Sequence, residues 1–461
     1  MPNFLAYAVL YLWPLVGLYI YKRYEQEKAI SLLLFIPYLF LPAGAAIVVP
    51  VLPPMEKEVI AGLLLWWVIC RSRKSYTNIP DEPMSKVFLF LLIAAPFLTA
   101  FTNREPLYYG DKIIPGLTVS AALQLELSNV AGIVAPFIAG YFLINDEEKQ
   151  KVFLKYFFIF GMIYSVFMLY EIRMSPRLQA EIYGFFPHSF AQQVRYGGYR
   201  PTVFLGHGLY VAFFFCMACL VALYLYKTKQ MPRRFPPLAT VAYMALVLLF
   251  CKTVSAFFYF VLFGFAYMYL PMKIRNISFA LVAAMLINYP VLRGEIIPVD
   301  GILSFVQEYR QDKVGSLKFR FDNEEILLEK AMARKYFGWG GSGRNFVYDT
   351  YSGNNISVVD GQWIIVFGVT GWLGYLALFG LVAYPLIKFA LNYKIVPKSE
   401  LPTKTILAIL LSANLIDLIP NSSFMMLTPF IAGSLIGSIR LIEKGKHTAS
   451  TAPQNPELVN V

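Results

Sequence analysis

Long apolar runs broken by short polar segments dominate the chain. They recur thirteen times, at roughly 4–21, 29–50, 58–70, 86–102, 118–144, 152–171, 202–226, 237–251, 254–271, 276–292, 361–391, 404–419 and 423–441. About 20 mostly apolar residues let a helix cross a bilayer, and the runs at 58–70, 237–251 and 254–271 are short of that. The last two meet at Cys251-Lys252-Thr253 and are expected to form a hairpin. The pattern predicts an all-α fold, a polytopic transmembrane helical bundle of about 13 spans over residues 1–447. Two segments, 172–201 and 293–360, are too long for simple connectors, and such loops are usually functional. The polar, Pro-containing end 448–461 reads as a disordered tail. No internal repeat is visible, which disfavours the inverted-repeat transporter architectures.

Composition agrees. Of 461 residues, 58% are apolar and 15% charged, against about 45–50% and about 25% in soluble domains; the mean hydropathy is +0.56. A water-soluble enzyme and a disordered chain are both excluded. The net charge is +12, from 40 Lys and Arg against 28 Asp and Glu. With the N-terminus outside and the C-terminus inside, 23 basic residues fall on inner segments and eight on short outer ones. The other nine lie in the long 293–360 loop, which the positive-inside rule does not count. That bias predicts the N-out, C-in orientation and an odd number of spans. The basic residues are not gathered on one soluble face, so nucleic acid is not an expected partner.

Cys70, Cys216, Cys219 and Cys251 sit in or at the end of apolar runs and read as small buried hydrophobes, not as a disulfide framework or zinc site. The first apolar run has no charged region before it and does not read as a cleavable signal peptide.

In the long loop, Asp322–Tyr336 has helical periodicity, with Asp322 as cap, Glu325 closing a capping box and Gly338 as the stop. The next residues, Gly338-Trp339-Gly340-Gly341-Ser342-Gly343-Arg344, carry four glycines in seven positions. Such a run either turns the backbone or aims N–H groups at an anion, with Arg344 adding a fork for phosphate. No Lys-Ser/Thr follows, so it is not a nucleotide loop. The shorter outer segment holds Arg173, Arg177, Arg195 and Arg200 within 28 residues, the last two interleaved with Tyr196 and Tyr199 around Gly197-Gly198. Arginine suits bidentate diphosphate binding and aromatic rings stack on sugars; interfacial lipid anchoring is the plainer role for the same residues.

Three features together make the chain resemble the O-antigen ligase and polymerase superfamily, the polytopic glycosyltransferases of bacterial surface polysaccharides. The first is Arg195-Tyr196-Gly197-Gly198-Tyr199-Arg200-Pro201 ahead of a span. The second is the short hairpin with Lys252, Thr253 and Ser255 at its outer tip. The third is an order within the long loop: Arg320, the amphipathic helix, Gly338–Gly343, Asp360 just before a span, then Gly368, Gly371 and Gly374. The resemblance covers roughly residues 150–440. Ligases of this family typically carry His where Asp360 stands, so the departure favours a polymerase-like member.

The resemblance implies a polyprenyl-diphosphate-linked oligosaccharide as donor and a sugar hydroxyl as acceptor. It also implies a bacterial cytoplasmic-membrane location, with the site facing the periplasm or cell exterior. Arg195 and Arg200 would stabilise the departing diphosphate, with Arg173, Arg177, Lys252, Arg320, Arg344, Tyr196 and Tyr199 as substrate contacts. Asp360 is the first candidate base and His207 the second. No Asp-x-Asp lies in the outer loops, so neither metal nor cofactor is expected. A chain-length regulator or export protein would be the accompanying partner, and membrane lipid the surroundings. Glu126 and Glu171, carboxylates within spans, are expected to pair with outer-loop arginines. The alternatives are a ligase acting on a lipid or protein acceptor, a lipid-linked oligosaccharide flippase, and an inactive assembly component.

Overall fold

The computed structural model describes residues 1–50, 52–72, 79–309 and 311–451. Arg73 and Lys74 of the basic inner set, and residues 452–461 of the expected tail, lie outside the described residues. The helices run α1 (Phe4–Arg23), α2 (Gln26–Phe40), α3 (Lys57–Ser72), α4 (Pro83–Phe101), α5 (Val119–Asn129), α6 (Ala135–Leu143), α7 (Glu147–Met174), α8 (Leu178–Tyr183) and α9 (Gly208–Lys227). There follow α10 (Pro237–Phe250), α11 (Val254–Tyr269), α12 (Met272–Ile287), α13 (Tyr289–Val291), α14 (Val299–Tyr309), α15 (Gln311–Met332), α16 (Gln362–Asn392), α17 (Leu401–Asp417) and α18 (Leu427–Thr451). Two antiparallel hairpins, β1 (Leu107–Tyr109) with β2 (Lys112–Ile114) and β3 (Val194–Arg195) with β4 (Gly198–Tyr199), depart from an all-helical expectation.

Among the described residues, six helical segments are long and apolar enough to cross a membrane: α1, α4, α5 with α6, α7, α9 and Gln362–Ile395. The pair Met272–Ile287 and Tyr289–Ile296, bent by 65°, makes up to seven. The remaining apolar runs are shorter or broken, for local reasons. The run at 29–50 leaves the helix at Phe40, because Pro42 pushes Leu41 into an extended conformation (ψ 150°). Between α5 and α6 the chain makes a π turn over Val130–Val134 just ahead of Pro136, which has no N–H to continue the ladder.

The break in α16 is the most informative. Gly371 takes φ +61° and ψ −161°, outside helical space, and the end of the long loop enters the gap. Trp339 N–H donates to the Gly368 carbonyl at 2.8 Å and Gly340 N–H to Val369 at 2.9 Å; Trp372 N–H donates to Lys335 at 2.7 Å. A Cβ on Gly338 would lie 2.4 Å from the Val369 carbonyl oxygen, and one on Gly371 would lie 2.5 Å from the Tyr336 carbonyl carbon. The glycines of 338–340 and of 368–371 thus permit two backbones to touch. The expected helix start at Asp322 also moves. α15 begins at Gln311 and packs on α14, so Asp322 is mid-helix and caps nothing.

The core follows the same physics. In α18, Gly433 and Gly437 face the α6 backbone at Phe137 and Tyr141, while Gly140 of α6 faces Phe430. Small residues four apart are how apolar helices approach closely in a lipid setting. Rings of Phe35, Phe153, Phe157, Phe160 and Phe214 join α2, α7 and α9. Of the cysteines, Cys216, Cys219 and Cys251 are buried as expected, and Cys70 is exposed on α3.

Candidate functional site

One cavity of about 580 Å³ opens at the helix ends where the two loops meet. Its walls come from five places: the 43–58 segment after α2, the 187–210 segment leading into α9, Arg320 of α15, Val358–Asp360 before α16, and the 420–425 turn between α17 and α18.

The cationic wall is built by a β-hairpin. Arg195 pairs with Gly198, and the two residues between them, Tyr196 and Gly197, both take positive φ (+49° and +66°). That is the two-residue turn whose twist suits a tight hairpin, normally filled by Asn-Gly. A tyrosine there is strained, and Lys252 holds it, Nζ donating to the Tyr196 carbonyl at 2.9 Å. Arg200 leaves the hairpin pointing inward, Nε 3.4 Å from the Lys252 carbonyl. Burial, and the neighbouring charges of Arg195 and Arg320, bring its pKa down to about 10. Among the described residues no carboxylate pairs with Arg195 or Arg200. Three guanidiniums near one cavity, with a single paired carboxylate, leave positive charge for an anion to neutralise.

Between Arg200 and His207 the chain passes through Val203, whose φ is +45°. A β-branched residue there is a real outlier, and three buried side chains hold it. Glu171, fully buried at the end of α7, accepts N–H groups from Thr202 at 2.7 Å, Val203 at 2.8 Å and Leu178 at 2.9 Å. The Tyr164 hydroxyl accepts from Phe204 N–H at 3.2 Å. Lys57, at the start of α3, donates to the carbonyls of Phe204 and Tyr38, each at 2.8 Å. Glu171 therefore binds backbone and not the arginine expected for it.

His207 caps α9, Nδ1 accepting from Leu209 N–H at 3.1 Å. In the neutral ring the proton is then assigned to Nε2, which faces Gln192 Oε1 at 3.4 Å. Burial, followed by the charges of His188, Arg200 and Arg195, lowers its pKa to about 4. His207 at neutral pH is thus an uncharged donor. The His188 ring stands edge-on to it at 4.9 Å.

Across the cavity Arg320 Nε lies 3.4 Å from Asp360 Oδ2, both side chains about two-fifths exposed. Asn323 Oδ1 anchors this segment by accepting Val358 N–H at 2.7 Å. The next turn docks on 418–421, with Gln362 N–H donating to the carbonyls of Leu418 and Asn421.

The structure thus brings Arg195, Arg200, Arg320, His207 and Asp360 to one cavity. Lys252, Tyr196 and Tyr199 belong to its scaffold and do not line it. Arg173 is exposed at the end of α7, and Arg177 pairs with Glu181 at 2.5 Å. Arg344 is fully buried away from the cavity, donating to the carbonyls of Trp339, Glu105 and Pro115 at 2.8–3.1 Å. It organises the glycine turn and presents no fork to a ligand. Glu126 Oε2 has no hydrogen-bond partner, so its expected arginine is not there. The lining residues that sequence reasoning missed are His188, Glu56, Lys57, Glu58 and Asn421–Ser423. The one available signal was the polar Asn-Ser-Ser after Pro420, between two apolar runs.

No protein-family model matches this chain, and no curated protein matches it in sequence.

Proposed function

We propose that the chain is a membrane glycosyltransferase. It polymerises or transfers polyprenyl-diphosphate-linked glycan repeats on the outer face of the bacterial cytoplasmic membrane. The observation that carries the reading is the shared cavity: Arg195, Arg200 and Arg320 on one side, Asp360 beside them, at the ends of apolar helices.

The chemistry follows from the charges. The acceptor hydroxyl attacks the anomeric carbon of the donor sugar, the bond from that carbon to the diphosphate oxygen breaks, and its electron pair leaves with polyprenyl diphosphate. Negative charge grows on that oxygen, and guanidiniums fixed in advance stabilise it more than the ground state. Asp360 takes the hydroxyl proton, and Arg320 orients its carboxylate. His207 donates Nε2–H to the diphosphate or the glycan, since its Nδ1 is already engaged.

Thirteen passes, with the N-terminus on the cavity side, fit the way helix ends meet. Asn3 N–H donates to Tyr183 in the cavity-side loop at 2.9 Å. Far from the cavity, Tyr21 of α1 meets Ser72 of α3 at 2.8 Å, and Glu147 of α7 pairs with Lys404 of α17 at 3.0 Å. There too Lys227 of α9 reaches the Tyr267 carbonyl of α11 at 2.7 Å, and Arg440 of α18 pairs with Asp81 ahead of α4 at 3.4 Å. The basic bias of that opposite side then makes it the cytoplasmic one.

The test is purified full-length protein with lipid-linked repeat units, scored for a ladder of products. Wild type should elongate, and Arg195→Ala and Arg200→Ala should insert normally and fail to. Flipping of the lipid-linked glycan without elongation would move the chain to the transporter class.

A further inference from the structure

The cavity has two chemically different walls. Opposite the arginines, the 420–425 turn carries uncharged amide and hydroxyl groups. Asp417, 3% exposed at the end of α17, fixes them from beneath. Its Oδ1 accepts Asn421 Nδ2 at 2.8 Å and its Oδ2 accepts the Ser423 hydroxyl. With Nδ2 held, the carboxamide oxygen of Asn421 has no partner among the described residues. The half-buried Ser422 hydroxyl meets Tyr210 OH at 3.3 Å. The same turn accepts Gln362 N–H, two residues beyond Asp360, so the neutral wall and the acid share one backbone junction.

A ligand complementary to both walls is anionic at one end and uncharged with many hydroxyls at the other. We infer that the Asn421–Ser423 turn is the subsite for the sugar directly attached to the diphosphate, with Asp417 as its positioning residue. This rests on the reading of the arginine wall as a diphosphate site. A buried carboxylate within an apolar segment normally suggests ion or proton traffic, but both oxygens of Asp417 are occupied in shaping this turn. Hydroxyl recognition is selective because a site built to bond an OH loses that bond with a ligand lacking it.

The test separates the two walls. Full-length protein in lipid nanodiscs is titrated with sugar-free undecaprenyl diphosphate, and with lipid-linked glycan purified from the cells in which the chain is native. Asn421→Ala should weaken the glycan-bearing ligand about tenfold, the loss of roughly one hydrogen bond, and leave the sugar-free one within about twofold. Ser422→Ala, which disturbs no buried group, should show the same selectivity if Asn421→Ala folds poorly. Asp417→Asn keeps a carbonyl acceptor and should restore part of the sugar-dependent increment lost in Asp417→Ala. Equal losses on both ligands, or no loss on the glycan, overturn the subsite. Wild type that ignores sugar-free undecaprenyl diphosphate, or Arg200→Ala that binds it normally, instead overturns the diphosphate wall itself.

Discussion

Lys252 Nζ donates to the Tyr196 carbonyl at 2.9 Å, and both residues hold a positive φ, +52° and +49°. The tip of the α10–α11 hairpin thereby props the turn that carries Arg195 and Arg200. A Cβ on Gly198 would lie 2.3 Å from that same Nζ, so the hairpin and the lysine are fitted to each other. Two strained turns in contact are costly unless what they position repays the strain in function.

Removing the prop should therefore reduce rate more than stability. Lys252→Met loses one charge-assisted hydrogen bond at an exposed position and should slow elongation about tenfold. Gly198→Ala, which displaces Nζ without removing it, should do the same in part. Melting of the detergent-solubilised protein should move little in either. A large fall in melting temperature for Lys252→Met would show that the lysine holds the fold and not the arginines.

His207 supplies a pH prediction. Its folded pKa, about 4, lies below its ordinary value of 6.5. Between those values the unfolded chain binds a proton that the folded chain does not, so stability rises with pH over that window. The contribution is complete above about 6.5 and is lost as pH falls towards 4. Protonation also ends the Nδ1 cap on Leu209 and adds charge beside Arg200. Elongation by wild type should show no inflection near 6.5, and any acid limb attributable to His207 should centre near 4. A midpoint near 6.5 that vanishes in His207→Gln would restore His207 as the base.

The sequence made some of this site legible and hid the rest. Arg195 and Arg200 stood out because positive charge is disfavoured on the outer side, and Asp360 because it sits at the start of an apolar run. Lys57 did not, since one lysine before a short apolar run looks like an interfacial anchor; only the fold shows its bonds to residue 204. Arg344 misled for a related reason. A glycine run next to an arginine suits phosphate, yet the run exists to let residues 338–340 enter the break at Gly371, and the arginine closes that turn. Periodicity found α15 but not its start, because Gln311–Phe321 is also helical and the Asp322 capping signal is idle within it. The helix-forming runs were evident, but Pro42 and Pro136 decide where they break.

Glu171 tests the clamp on Val203. Glu171→Ala would leave three backbone N–H groups without their acceptor, each costing about 1–3 kcal/mol when buried. The protein should then express poorly or melt far lower. Glu171→Gln keeps one acceptor oxygen and should fold, with a looser Thr202–Phe204 turn and weaker donor binding. Normal yield and activity in Glu171→Ala would mean that Tyr164 and Lys57 hold the strained turn unaided.

Asp360 and Arg320 bear most directly on the chemistry. Their ion pair at 3.4 Å is about two-fifths exposed on each side, and exposed pairs contribute about 0–1 kcal/mol to stability. Asp360→Asn should therefore fold as well as wild type. It keeps the size and hydrogen bonding of the side chain but cannot accept the acceptor's proton, so elongation should fall by roughly 10²–10⁴. Donor affinity should not fall, and can rise slightly, because a negative charge near the diphosphate has gone. Arg320→Ala should behave differently: weaker donor binding together with a smaller loss of rate, since it removes both a cation and the orientation of the acid. If Asp360→Asn instead lowers affinity and rate together while Arg320→Ala is silent, Asp360 is a ligand contact and the proton acceptor must be sought on the neutral wall.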